Sequence, residues 1–159
     1  MYKHAPGGYN CPICLGIQGT ENEDTMLKQA DLVFKDDLVS VFINSFWIET
    51  VEGHVIVVPN EHYENIYELP MATGHRAFEV VQKMAVTIKE AYQCAGITTR
   101  QNNEPAGNQH AFHYHHHVFP RYQGDLFNEN CVKKSIVSQP KERVKYAEKL
   151  KKLLNSSSG

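Results

Sequence analysis

The stretch His113-Tyr114-His115-His116-His117-Val118-Phe119-Pro120 constrains this chain more than any other, because five of its nine histidines fall between His110 and His117. In an extended strand, side chains point alternately to opposite faces. His113, His115 and His117 then share one face, while Tyr114, His116 and Val118 take the other. A row of imidazoles makes a poor apolar core but a good surface for phosphate or metal. Imidazole changes charge near neutral pH, ligates metals and can act as a nucleophile. An expression tag or a polar loop is the competing reading. The internal position of the tract, flanked by strand-like Ala111-Phe112 and Val118-Phe119, favours a functional strand. Pro120, which has no N–H to donate, is expected to end the ladder.

The rest of the chain reads as alternating strands and helices. Leu32 to Lys35 and Leu38 to Ile43 form two strands around a tight turn at Asp36-Asp37. Val55-Ile56-Val57-Val58 is continuously apolar, as suits a central strand buried on both faces. Residues 64 to 69 read as a short helical turn stopped by Pro70. Between Ala72 and Cys94, apolar residues including Phe78, Val81, Met84 and Ile88 recur at helical spacing, with Gly96 placed for a left-handed cap. Ile97 to Gln101 is β-branched, and Asn102 to His110 is a turn-rich loop leading into the histidines. Residues 45 to 52 read as a loop whose Phe46, Trp47 and Ile48 either pack on the core or wall a pocket. Residues 15 to 30 form a polar excursion with a short helix near 25 to 29. Residues 123 to 139 are loop-rich, and an amphipathic helix follows from Pro140 to Leu154.

Composition excludes several classes. At 159 residues the chain is long enough for one domain with a sizeable core, and 42% hydrophobic with 21% charged residues describes an ordinary globular protein. A net charge of −2 offers no general basic surface for nucleic acid. No run approaches a membrane span, and Met1 to Tyr9 lacks the form of a signal peptide, so the expected compartment is the cytoplasm. The four cysteines, two close and two scattered, do not form a disulfide framework. Cys11-Pro12-Ile13-Cys14 alone is compatible with a zinc site, a redox dithiol or chance. No strand precedes it as a redox motif requires, and zinc needs two further ligands, which would have to come from distant histidines.

His-x-His-x-His followed by two apolar residues resembles the signature of the histidine triad (HIT) superfamily of nucleotide hydrolases and transferases. Gly53-His54, the apolar strand and Pro59-x-x-His62 are similar to a second family pattern, and together the matches cover most of residues 11 to 122. The resemblance implies that His115 is a nucleophile toward the α-phosphorus of a nucleotide, with His117, His54 and Gln109 stabilising the phosphoryl oxygens. It places Asn44 on the ribose, although an asparagine there also suits a turn cap. Asn102 falls about eleven residues before His113, where the family has an asparagine. His110 replaces the usual serine or threonine near the leaving group. Arg121 either meets phosphate or pairs on the surface. Some branches hold structural zinc with a set like Cys11, Cys14, His62 and His113. His116 departs from the family, which has an apolar residue there.

The implied fold is α+β: a mainly antiparallel sheet of about five strands with one long helix and a C-terminal helix. One domain is expected over 1–159, with a core at 11–122, a helical extension at 123–154 and a frayed tail at 155–159. The implied activity is hydrolysis of dinucleoside polyphosphates, nucleoside phosphoramidates or related conjugates through a covalent nucleotidyl-histidine. The alternatives are an adenylyl- or uridylyltransferase and a non-catalytic nucleotide-binding zinc module. The resemblance also implies a homodimer with a small-molecule nucleotide as its ligand, and no catalytic cofactor.

Overall fold

The run Val55 to Pro59 forms strand β4 at the centre of a five-stranded sheet, and all five residues are buried. A computed structural model describes residues 2–22, 25–131 and 135–156. Around β4 lie β1 (Leu32–Lys35), β2 (Val39–Ile43), β5 (Gly96–Gln101) and β6 (His116–Arg121), in the order β1-β2-β4-β6-β5. Every pairing is antiparallel. The α+β architecture read from the sequence is therefore the one observed.

The two faces of the sheet carry different loads. Helices α2 (Met71–Tyr92) and α4 (Pro140–Ser156) cover one face, packing on Val41, Ile43, Val55, Val57, Tyr114 and Val118. On the opposite face, α1 (Pro12–Gln18) shares a cluster with Phe42, Ile56 and Val58. A third cluster joins Phe119 to Ile48, Val51 and Phe127 of the short helix α3 (Phe127–Asn130). Each fully buried valine or isoleucine contributes roughly 1.5–3 kcal/mol by leaving water. The C-terminal helix is anchored by Arg143, only 1% exposed, whose Nε donates to Asp31 Oδ1 at 2.9 Å. Its other nitrogens reach the carbonyls of Ser138 and Met26.

Several local expectations change. β6 begins at His116, so residues 113 to 115 approach it without ladder pairing, although the alternation of faces persists. Pro120 does not end the strand. Pairing with β4 stops at Val118, leaving β6 one free edge there, while β5 continues alongside to Arg121. That is where a proline is tolerated. Helix α2 is capped by Gln93 at φ 53°, and Gly96 instead opens β5. Lys89 closes this end by donating to the carbonyls of Cys94 and Ala95 at 2.9 and 2.8 Å. Phe78 does not face the core; it is 66% exposed, since the inward stripe runs through Ala77, Val80, Val81, Met84 and Ile88. The 45 to 52 segment is not all loop. Phe46–Ile48 forms β3, paired with β7 (Ser135–Val137), and Trp47 packs in the core against Tyr146 at 5.3 Å between ring centroids. The polar excursion opens with α1 instead of a helix near 25 to 29, where a single 3₁₀ turn at Gln29–Asp31 stands. Helix α4 extends through Ser156, two residues into the expected tail; 157–159 lie outside the described residues.

Candidate functional site

Gly53 makes delivery of His54 possible. Its φ of +73° lies in the left-handed region, and a Cβ there would stand 2.3 Å from the Tyr146 ring. Only glycine meets both conditions. His54 follows, fully buried, at the entrance to β4. The Asn44 side-chain amide, at the end of β2, donates to Phe46 O at 3.0 Å and to His54 Nε2 at 2.8 Å. That geometry leaves the His54 proton on Nδ1.

His117 stands beside His54, with ring centroids 5.4 Å apart, and His115 stands 4.9 Å from His117 in an edge-to-face contact. His115 is 7% exposed, and its Nδ1 lies 2.7 Å from the backbone carbonyl of His113. A carbonyl only accepts, so Nδ1 carries the proton and Nε2 keeps its lone pair. Burial pushes His54 down to about 3, helped by Arg100 and His115. It also holds His115 below its ordinary value and His117 well below. All three imidazoles are therefore neutral near pH 7. His54 Nδ1, His117 Nδ1 and Arg100 Nε are buried without a hydrogen-bond partner among the described residues. Orphaned polar atoms are rare in folded interiors, and here three gather on one face.

The loop before the histidines is braced from below. Gln109, buried, accepts from Glu104 N at 2.7 Å and donates to the carbonyls of Glu64 and Ala111. The Glu64 carboxylate in turn accepts from the backbone of His4 and Ala5. Asn102 closes the same loop by donating to Asn108 O at 3.1 Å. Gln109 thus ties the loop to the Glu64 segment and Asn102 bonds within the loop, while His110 is exposed and close enough to His115 to oppose its protonation. Arg121 is held by Asp125 through two contacts of 2.7 and 2.9 Å, which favours the salt-bridge alternative for its guanidinium.

His113 joins a different group. The ligand atoms of Cys11, Cys14, His62 and His113 all lie within 4.8 Å of one another. Cys11 Sγ to His113 Nδ1 is 3.4 Å, Cys14 Sγ to His62 Nδ1 is 3.3 Å, and Cys14 Sγ to His113 Nδ1 is 3.5 Å. A tetrahedral zinc site has sulfur–nitrogen edges of about 3.5 Å, given its usual bond lengths. The four residues fit a zinc ion. His113 Nε2 meets Pro59 O at 3.0 Å, a second contact of the kind that orients metal-binding imidazoles. Burial, reinforced by Cys11, pushes the Cys14 thiol up to about 12. A divalent cation would reverse that and hold both sulfurs as thiolates. Cys11 also caps α1, accepting from Cys14 N.

Residues 26–124 match the family model described as HIT domain. The chain belongs to the HIT family. Protein hit of Bacillus subtilis is 35% identical over 96 residues, spanning 60% of this chain and 65% of that protein, just under two thirds of its length. Adenylylsulfatase HINT3 of Arabidopsis thaliana is 26% identical over 116 residues, covering 73% of this chain and 54% of that one. Among solved structures, a zinc-bound histidine triad family protein from Mycobacterium smegmatis superposes with a TM-score of 0.74 at 24% identity, over 96% of this chain and 98% of that one. The HIT fold therefore accounts for the sheet and for the central helix packed on it.

Arg100 belongs to this face although it does not stand out in the sequence. It lies opposite His117 in the β5–β6 register and hence on the same face. The alternation within Ile97 to Gln101 already separates Thr98 and Arg100 from their neighbours, but which strand they would flank was not visible locally. His116 points to the other face, half-buried. It lines a cavity of about 330 Å³ with Tyr114, Gln101, Met71 and Phe78.

Proposed function

We propose that this HIT protein is a nucleotide hydrolase that cleaves at the α-phosphate through a nucleotidyl-His115 intermediate. One observation carries the reading: the His113 carbonyl fixes the His115 proton on Nδ1, so Nε2 offers its lone pair toward a face lined by neutral His54 and His117. In the first step, Nε2 forms a bond to phosphorus while the bond from phosphorus to the leaving group breaks. The departing atom keeps the electron pair and takes a proton, a role we assign to exposed His110. The His113 carbonyl stabilises the cationic nucleotidyl-imidazole through its hydrogen bond. Water oxygen then attacks phosphorus, the P–N bond returns its pair to Nε2, and the water proton leaves to solvent. Asn44, in contact with His54, is assigned to the ribose. The names of relatives such as adenylylsulfatase support a nucleotidyl substrate.

Cys11, Cys14, His62 and His113 would hold zinc as a structural brace, fixing the segment whose carbonyl orients His115. The protein is further assigned as a homodimer. Exposed Met71, Phe78 and Ile66 gather around the mouth of the His116 cavity, beside the free edge of β5. Such an apolar edge is a natural seam for a second copy.

The test is turnover of diadenosine tetraphosphate and adenosine phosphoramidate by wild type and His115→Ala. Release of AMP by the wild type and its loss in the variant support the reading; equal turnover by both refutes it. Sedimentation of Phe78→Glu reports on the dimer, which is expected to fall to monomer.

A further inference from the structure

We infer that Arg100 is the anion clamp of this site, and that its substrates are nucleotides whose leaving group is itself anionic, such as the distal phosphates of a nucleoside polyphosphate. This deepens the hydrolase reading above and rests on it for the position of the nucleoside.

A row of side chains crosses the sheet. Asn44 touches His54 at 2.8 Å, His54 neighbours His117 at 5.4 Å, and His117 is cross-strand partner to Arg100. With the nucleoside at the Asn44 end and phosphorus at His115, the departing group runs toward β5, where Arg100 stands. Its guanidinium lies over the Phe119 and Phe127 rings, at 5.4 and 6.0 Å from their centroids. These contacts hold the group in place while leaving its charge unneutralised. Among the described residues no carboxylate lies within ion-pair distance of Arg100, and its Nε is buried without a partner. The contrast with Arg121, two residues past Phe119 and satisfied by Asp125, is direct.

The imidazoles cannot replace this cation. Burial keeps His54 and His117 neutral, so they offer N–H dipoles but no net charge. A polyphosphate brings several negative charges into a partly dry site and needs a fixed positive group, preferably a planar fork. An ammonium leaving group would instead be repelled from the same position.

Calorimetric binding of AMP and of non-hydrolysable α,β-methylene-ADP tests the inference with wild type, Arg100→Met and Arg100→Lys. Wild type is expected to bind the diphosphate tighter than AMP by about tenfold or more, the scale of a charge-assisted hydrogen bond. Arg100→Met abolishes that gap while AMP affinity stays nearly constant, and Arg100→Lys restores part of it. A gap retained in Arg100→Met overturns the inference, as does equal weakening of both ligands, which marks a structural role. Turnover separates the two readings. If wild type cleaves diadenosine tetraphosphate and adenosine phosphoramidate and Arg100→Met slows both alike, hydrolysis stands and the clamp falls. If neither is cleaved but the binding gap depends on Arg100, the clamp stands and hydrolysis falls.

Discussion

Two buried histidines, His113 and His115, lie two residues apart and sit in different surroundings. His113 is gathered with two cysteines and His62, and its far nitrogen is tied to the Pro59 carbonyl. His115 has one nitrogen tied to a carbonyl and the other free, beside His117 and His54 with their orphaned atoms. Both imidazoles are kept neutral by burial. What separates them is the chemistry of the neighbours: two sulfur donors and a second imidazole gather around one, while the other faces a group of unpartnered polar atoms. The same residue type in the same tract thus sits among metal-ligand donors in one place and beside unpartnered imidazoles in the next, with the His113 carbonyl joining the two.

That comparison can be broken from either side. The largest effect is expected beside the unpartnered imidazoles, where His115→Ala lowers turnover by about 10⁴-fold or more without unfolding the protein; thermal unfolding alongside the assay checks both halves. Among the metal-ligand donors, Cys14→Ser or chelation is expected to remove one equivalent of zinc and lower Tm by about 10 °C, with restoration on adding zinc to the wild type. Metal content below half an equivalent before chelation contradicts this. Gly53→Ala should cost roughly 2–4 kcal/mol, read from denaturant unfolding, because the methyl group meets Tyr146 and the backbone cannot relax to negative φ.

The most gradual effect is the pH response of His54. Its folded-state value is about 3, below the 6.5 of an exposed imidazole. Between those values the unfolded chain binds the proton and the folded chain does not, so stability falls as pH drops from about 6.5 toward 3. Unfolding of His54→Gln across that window should show a shallower slope; an unchanged slope would mean that His54 is not buried neutral.

The legible features were those with a local period. Alternating imidazoles, the Val55 to Val58 run and the spacing of Met84 and Ile88 are written in adjacent residues, and the structure keeps each on its expected face. Cys11-x-x-Cys14 was legible as half of a site, and its completion by His62 and His113 followed from resemblance. What was hidden depended on long-range register. Nothing near Phe46 indicates that Ser135 to Val137 will pair with it, and nothing near Arg100 says that it will face His117. Phe78 was misplaced because a helical stripe allows a rotation of one position until its partners are known. Gly96 gave a plausible cap, but Lys89 satisfies the carbonyls beyond Gln93, where the helix already ends.

The proposed turnover passes through a covalent bond between phosphorus and His115. Intact-protein and peptide mass spectrometry after rapid quenching of turnover with diadenosine tetraphosphate measures it directly. The account predicts one adenylyl group on the peptide containing His115, labile to acid and absent from His115→Ala. Product formation with no adduct at that residue, or with the adduct on another side chain, would contradict it.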